Sequence, residues 1–171
     1  MKVLVTVASK HGSTTEICEA IAATLTKEGH AVDVVEPSAV RDVTPYDAVI
    51  LGSGVYVGHW IDSAKQFADH YAMALRGKPV WIFSSGPLGT MPAETPVDVT
   101  QIIRLVGPRE HRVFYGALER DKLGFGERAI IGMVHAPYGD YRDWDAITTW
   151  ARGIADALWR VRLEERGLVP A

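Results

Sequence analysis

The chain has 171 residues, is 47% hydrophobic and 23% charged, and carries a formal net charge of −3. Those values exclude a disordered or low-complexity chain and leave no electrostatic footprint for nucleic acid or an anionic bilayer. One cysteine, Cys18, excludes an intrachain disulfide framework.

The chain opens on KVLVTVA, residues 2–8, a short apolar run whose continuity predicts a strand covered on both faces, as in a parallel sheet. Residues 14–28 follow as a helix, with Ile17, Ile21, Ala22 and Leu25 on one face and Gly29 at its end. Strands are predicted over 31–35 and 47–52. Asp62 or Ser63 is read as the cap of a second helix bearing Ala64, Phe67, Ala68, Tyr71 and Leu75, closed by Gly77. A fourth strand (79–84), a helix within 95–106, a fifth strand (111–117) and an apolar segment (123–134) come next. Asp143 opens a long last helix, with Ile147, Ala151, Ile154, Leu158 and Val161 along one side.

This alternation predicts an α/β fold: one domain over residues 1–171, a parallel sheet with helices on both faces. No apolar run reaches the roughly 20 residues of a transmembrane helix. The N-terminus has no signal-peptide layout. The reading is a soluble cytoplasmic protein, open at most to peripheral contact with a membrane.

Ligands of such sheets bind outside the carboxyl ends of the strands. Three loops lie there: 9–14 (SKHGST), 53–60 (SGVYVGHW) and 85–90 (SGPLGT). All three carry glycine and hydroxyl residues. The first precedes a helix, whose free N–H groups and partial positive charge suit a phosphate. Ser9, Ser13 and Thr14 can donate to it and Gly12 lets the backbone approach, although Ser13 or Thr14 could equally be a plain N-cap. The P-loop and dinucleotide glycine spacings are absent. Tyr56 and Trp60 could cover a flat ring. No metal-ligand spacing and no trusted nucleophile–base arrangement stands out, so a bound cofactor is expected to carry the chemistry.

S-K-H-G-S-T resembles the phosphate-gripping signature of flavodoxins, and the element order is similar to that family throughout the chain. The resemblance implies a three-layer sandwich on a five-stranded parallel sheet of order 2-1-3-4-5. It also implies FMN as cofactor. Its phosphate would be held by Ser9, His11, Gly12, Ser13 and Thr14. Gly54, Val55, Tyr56, Val57 and Gly58 would line one side of the ring, and Ser85, Gly86, Pro87, Leu88 and Gly89 the other, with no metal. YVGHW, VFYGALERDKLGFGERAIIGMV (113–134) and DYRDWDAITTWARGIADAL (140–158) further resemble the menaquinone-dependent protoporphyrinogen oxidase branch. That branch implies oxidation of protoporphyrinogen IX with electrons passed through FMN to a quinone, and makes His59 and Trp60 candidate substrate contacts. Residues 90–110 are only weakly basic here, where that branch carries an extra basic segment.

Two other readings share the fold: an electron-carrier flavodoxin serving a redox partner without a small-molecule substrate, and a non-catalytic binding protein. The flavin-side loops 53–60 and 85–90 contain no carboxylate. A negative charge on a reduced flavin is thus less costly there, and a less negative potential than that of acidic carriers is expected.

Overall fold

A computed structural model describes residues 1–56, 58–86, 99–118 and 138–168. Five parallel strands form the sheet: β1 (Lys2–Ala8), β2 (Ala31–Val34), β3 (Ala48–Tyr56), β5 (Val80–Ser85) and β6 (Glu110–Phe114). β4 (His59–Trp60) is a short antiparallel return on β3. The spatial order is β2-β1-β3-β5-β6. Counting the parallel strands alone, this is the expected 2-1-3-4-5. The order reverses between β1 and β3, where neighbouring loops leave in opposite directions and open a crevice.

α1 (Ser13–Lys27) and α5 (Trp144–Glu165) cover one face, while α2 (Asp62–His70), α3 (Ala72–Arg76) and α4 (Thr100–Val106) belong to the other. The side-chain alternation of the strands feeds both cores. Val3, Val5, Ile50 and Phe83 pack with Ile17, Ile21, Ile147 and Leu158. Leu4, Leu51 and Ile82 pack with Phe67, Leu75, Ile102 and Val106. Most of these side chains are completely buried, each worth about 1.5–3 kcal/mol. This two-sided burial is why the strands read as unbroken apolar runs.

Within the first core, Phe83, Phe114 and Trp150 form an aromatic cluster with centroids 5.5–6.0 Å apart. Phe83 lies across Gly52 on the adjoining strand: a Cβ there would come within 2.2 Å of the ring.

Several boundaries depart from expectation. α1 is capped by Gly12, in the left-handed region at φ 85°, not by Ser13 or Thr14, which are its first two residues. Ile61, not Asp62 or Ser63, stands at the N-cap of α2. The stripe from Ala64 to Leu75 belongs to two helices, because the chain breaks at Tyr71, whose hydroxyl donates to the Val40 carbonyl at 3.1 Å. A small ribbon, β7 (Ala117–Leu118) with β8 (Gly139–Asp140), was not foreseen. The expected segment 123–134 lies outside the described residues. Asp143 does cap α5, accepting from the Ala146 N–H at 2.9 Å. Among the described residues, no helix is long and apolar enough to cross a membrane.

Candidate cofactor site

The described residues of the three loops, 9–14, 53–56 with 58–60, and 85–86, meet at one edge. Residues 9–14 leave β1 and turn directly into α1. Ser9 Oγ accepts from the Gly12 N–H at 3.2 Å, and Ser13 Oγ accepts from the Ala117 N–H at 3.0 Å. In each hydroxyl a backbone N–H occupies an acceptor lone pair, which leaves its proton as a donor. No side chain caps α1. Gly12 accepts the first helical bond from Glu16, so the N–H groups ahead of Glu16 have no intrahelical partner. The loop is thus a concentration of donors with no carboxylate within it, the donor set a phosphate needs.

Glycines bring the strand ends close. A Cβ on Gly54 would stand 3.2 Å from Thr14 Oγ1 and 3.4 Å from the Tyr56 ring. A Cβ on Gly86 would be 2.8 Å from Val55 Cβ. Gly86 donates to the Phe114 carbonyl at 3.3 Å. Thr14 is buried, and Ser85 is buried at the end of β5. Tyr56 is 40% exposed; His11 meets its ring edgewise at 6.2 Å and Lys10 Nζ lies 5.4 Å from its centroid. The first loop is therefore closed against the second. Tyr56 pairs with His59, and Gly58 ahead of His59 takes the left-handed region at φ 79°. Val57, Pro87, Leu88 and Gly89 lie outside the described residues.

Trp60 is placed otherwise than expected. It is 2% exposed and sits beneath the edge, where no external substrate reaches it. Its indole N–H donates to Ser84 Oγ at 2.8 Å, and Ser84 Oγ lies 2.8 Å from His111 Nε2. An indole nitrogen only donates, so Ser84 accepts from Trp60 and keeps a proton that it can give to an unprotonated His111 Nε2. This chain suits a neutral His111, whose pKa burial pushes down. Ser53 Oγ adds a second fastening, accepting from the Ile61 N–H at 3.0 Å and donating to the Gly54 carbonyl at 2.8 Å. These bonds hold the β3–β4 turn from below. His59 is exposed beside it.

Sequence reasoning missed Arg142. Its side chain is 5% exposed. Nε and Nη2 donate to the two oxygens of Asp140 at 2.8 and 2.7 Å. Nη1 donates to Glu16 Oε2 at 2.7 Å and to the Ser13 carbonyl at 3.2 Å. The Asp140 carboxylate, then Glu16, raises the guanidinium pKa beyond its already high ordinary value. The only sequence signal is the acid-flanked D-Y-R-D of residues 140–143. Among the described residues, no group of three or more His, Cys, Asp or Glu could hold a metal.

A doubly wound parallel sheet with a phosphate-ready loop and glycine walls at its switch point defines a nucleotide-binding protein of the open α/β class. The flavodoxin-domain family model matches residues 4–145, and the chain belongs to that family. The protoporphyrinogen IX dehydrogenase [quinone] of Escherichia coli K12 is 23% identical over 172 residues, covering 91% of this chain and 95% of that protein. In structure, the flavodoxin of Streptococcus pneumoniae TIGR4 superposes with a TM-score of 0.61 at 19% identity, over 92% of this chain and 99% of that one. The rubredoxin oxygen:oxidoreductase of Desulfovibrio gigas superposes at 0.64 and 17% identity, over 93% of this chain. The present chain spans 36% of the length of that oxidoreductase.

The family is one of FMN-binding flavoproteins. The residues described here fit that cofactor's phosphate: oriented hydroxyl donors at Ser9 and Ser13, a left-handed Gly12 whose missing Cβ faces open space, and an uncapped helix start.

Proposed function

We propose that this protein is an FMN-dependent oxidoreductase that oxidises protoporphyrinogen IX and delivers the electrons to a quinone. The observation that carries the cofactor part is the pair of hydroxyls, Ser9 and Ser13, each turned into a donor by a backbone N–H at the free start of α1. The match to the quinone-linked dehydrogenase over nearly the whole of both chains supports the substrate. The weak net charge of −3 supports it too, since a soluble carrier relies on strong charge to steer it to partners.

In this reading Ser9, His11, Gly12, Ser13 and Thr14 hold the phosphate. Residues 54–58 and 85–89 flank the ring, with Tyr56 at its exposed side. The glycines let backbone, not side chains, form the walls, which keeps the slot narrow and dry. When bound, FMN supplies the two-electron redox chemistry. The Trp60–Ser84–His111 chain keeps the 54–58 wall in place. His59, exposed at the rim, is the remaining candidate for substrate contact.

Purified protein should carry flavin absorbance and oxidise protoporphyrinogen with a menaquinone analogue faster than autoxidation. A colourless protein that takes up no FMN refutes the reading. Flavin-loaded protein inert toward protoporphyrinogen, but rapidly reduced by a flavodoxin reductase, assigns an electron carrier instead.

A further inference from the structure

Ser13 is fastened twice by residues more than 100 positions away. Ala117 holds its hydroxyl and Arg142 holds its carbonyl. The Arg142 nitrogen that touches Ser13 also binds Glu16, the acidic residue in the first turn of α1. A carboxylate there stabilises a bare helix through the macrodipole. It also repels a phosphate dianion arriving at the same end. Resting on the FMN reading, we propose that Arg142 is a positioning residue for the cofactor phosphate: it fixes the Ser13 backbone and offsets part of the Glu16 charge beside the phosphate loop.

Three features single out Arg142. First, its side chain is almost wholly buried, so its pairs are shielded from solvent and salt more than surface pairs are. Second, its fork is oriented: two nitrogens are committed to Asp140, which leaves Nη1 aimed at α1. A lysine would bring the charge without the fork. Third, Arg142 lies two residues past the end of β8, and the intervening Tyr141 donates its N–H to the Gly116 carbonyl at 3.1 Å. The β7–β8 ribbon therefore delivers both fasteners of Ser13 together, one from β7 and one from just past β8.

The role predicts discrimination between flavins. FMN carries the phosphate that Glu16 repels, and riboflavin does not. Titrations of the cofactor-stripped full chain, followed by quenching of free-flavin fluorescence, measure both affinities. Arg142→Gln should weaken FMN about tenfold, the effect of removing one positive charge at close range, and leave riboflavin within about twofold. Adding Glu16→Gln to Arg142→Gln should restore most of the FMN affinity. Glu16→Gln alone, which leaves the arginine in place, should tighten FMN a few-fold and spare riboflavin. This last variant keeps the test decisive if Arg142→Gln does not fold. Equal losses for FMN and riboflavin, or no response of FMN to Glu16→Gln in either background, would overturn the assignment. An unaltered protein that binds neither flavin would instead remove the cofactor reading itself, and this role with it.

Discussion

Gly52→Ala tests the packing that positions the cofactor edge. The added methyl would lie 2.2 Å from Phe83 Cζ and 2.3 Å from Cε1. Carbon atoms in contact rest at about 3.5–4.0 Å, so the ring has to withdraw by roughly 1.5 Å. It has nowhere to go: Phe83 is completely buried, with Phe114 at 5.9 Å and Trp150 at 6.0 Å between centroids. Overpacking a tight core costs about 1–3 kcal/mol, and this geometry belongs at the upper end. For a chain of this size about 3 kcal/mol lowers Tm by roughly 6–12 °C. Differential scanning calorimetry of wild type and variant reads the shift. The double variant Gly52→Ala/Phe83→Leu should lose distinctly less than the sum of the two single changes, because the shorter side chain clears the methyl. A Tm within about 1 °C of wild type for Gly52→Ala, or strict additivity in the double variant, would refute the packing argument.

Stability should fall as pH drops from about 7 toward 5. Burial lowers the pKa of both His30 and His111, while the unfolded chain takes up these protons near pH 6.5; the unfolded state then binds more protons and stability rises with pH through that interval. Urea midpoints at several pH values measure this, and replacing either histidine by Gln should flatten the slope. Cys18 is completely buried and its thiol is pushed up to about 12 by burial and then by Glu19, so it should resist a thiol reagent at pH 8 in the native protein and react at once in denaturant; fast native labelling contradicts this. Asp143→Ala, which removes the cap accepted by Ala146, should cost about 1 kcal/mol by urea unfolding, with Asp143→Asn or Ser recovering most of it.

The sheet was legible because it is buried on both faces. The run from Lys2 to Ala8 has no polar position except Thr6 beyond its first residue, and the structure begins and ends β1 at those residues. The loop proposed to hold the phosphate stands out in the sequence by its hydroxyls and its place before a helical stripe. What stabilises that loop does not. Arg142 pairs with Glu16 across 126 residues, and a charge pair at that separation leaves no period or spacing to read. The cap at Gly12 hides for a different reason. Ser13 and Thr14 have the chemistry of N-caps, but Ser13 spends its hydroxyl on Ala117. Trp60 misleads in the same way. An aromatic among glycines reads as the mouth of a site, and only the strand pairing that brings Ser84 beneath it shows an anchor.

The loop of residues 9–14 is synthesised well before its two fasteners, which follow Ser13 by 104 and 129 residues. A ribosome-bound chain that has emerged only through β6 carries all five parallel strands but neither fastener of the grip. Contacts of such separation form late, after the loop-closure entropy has been met. Latching of the loop therefore waits on the chain beyond β6, and because Arg142 stands just ahead of α5, the helix that closes one face of the sheet, the grip is completed together with the core.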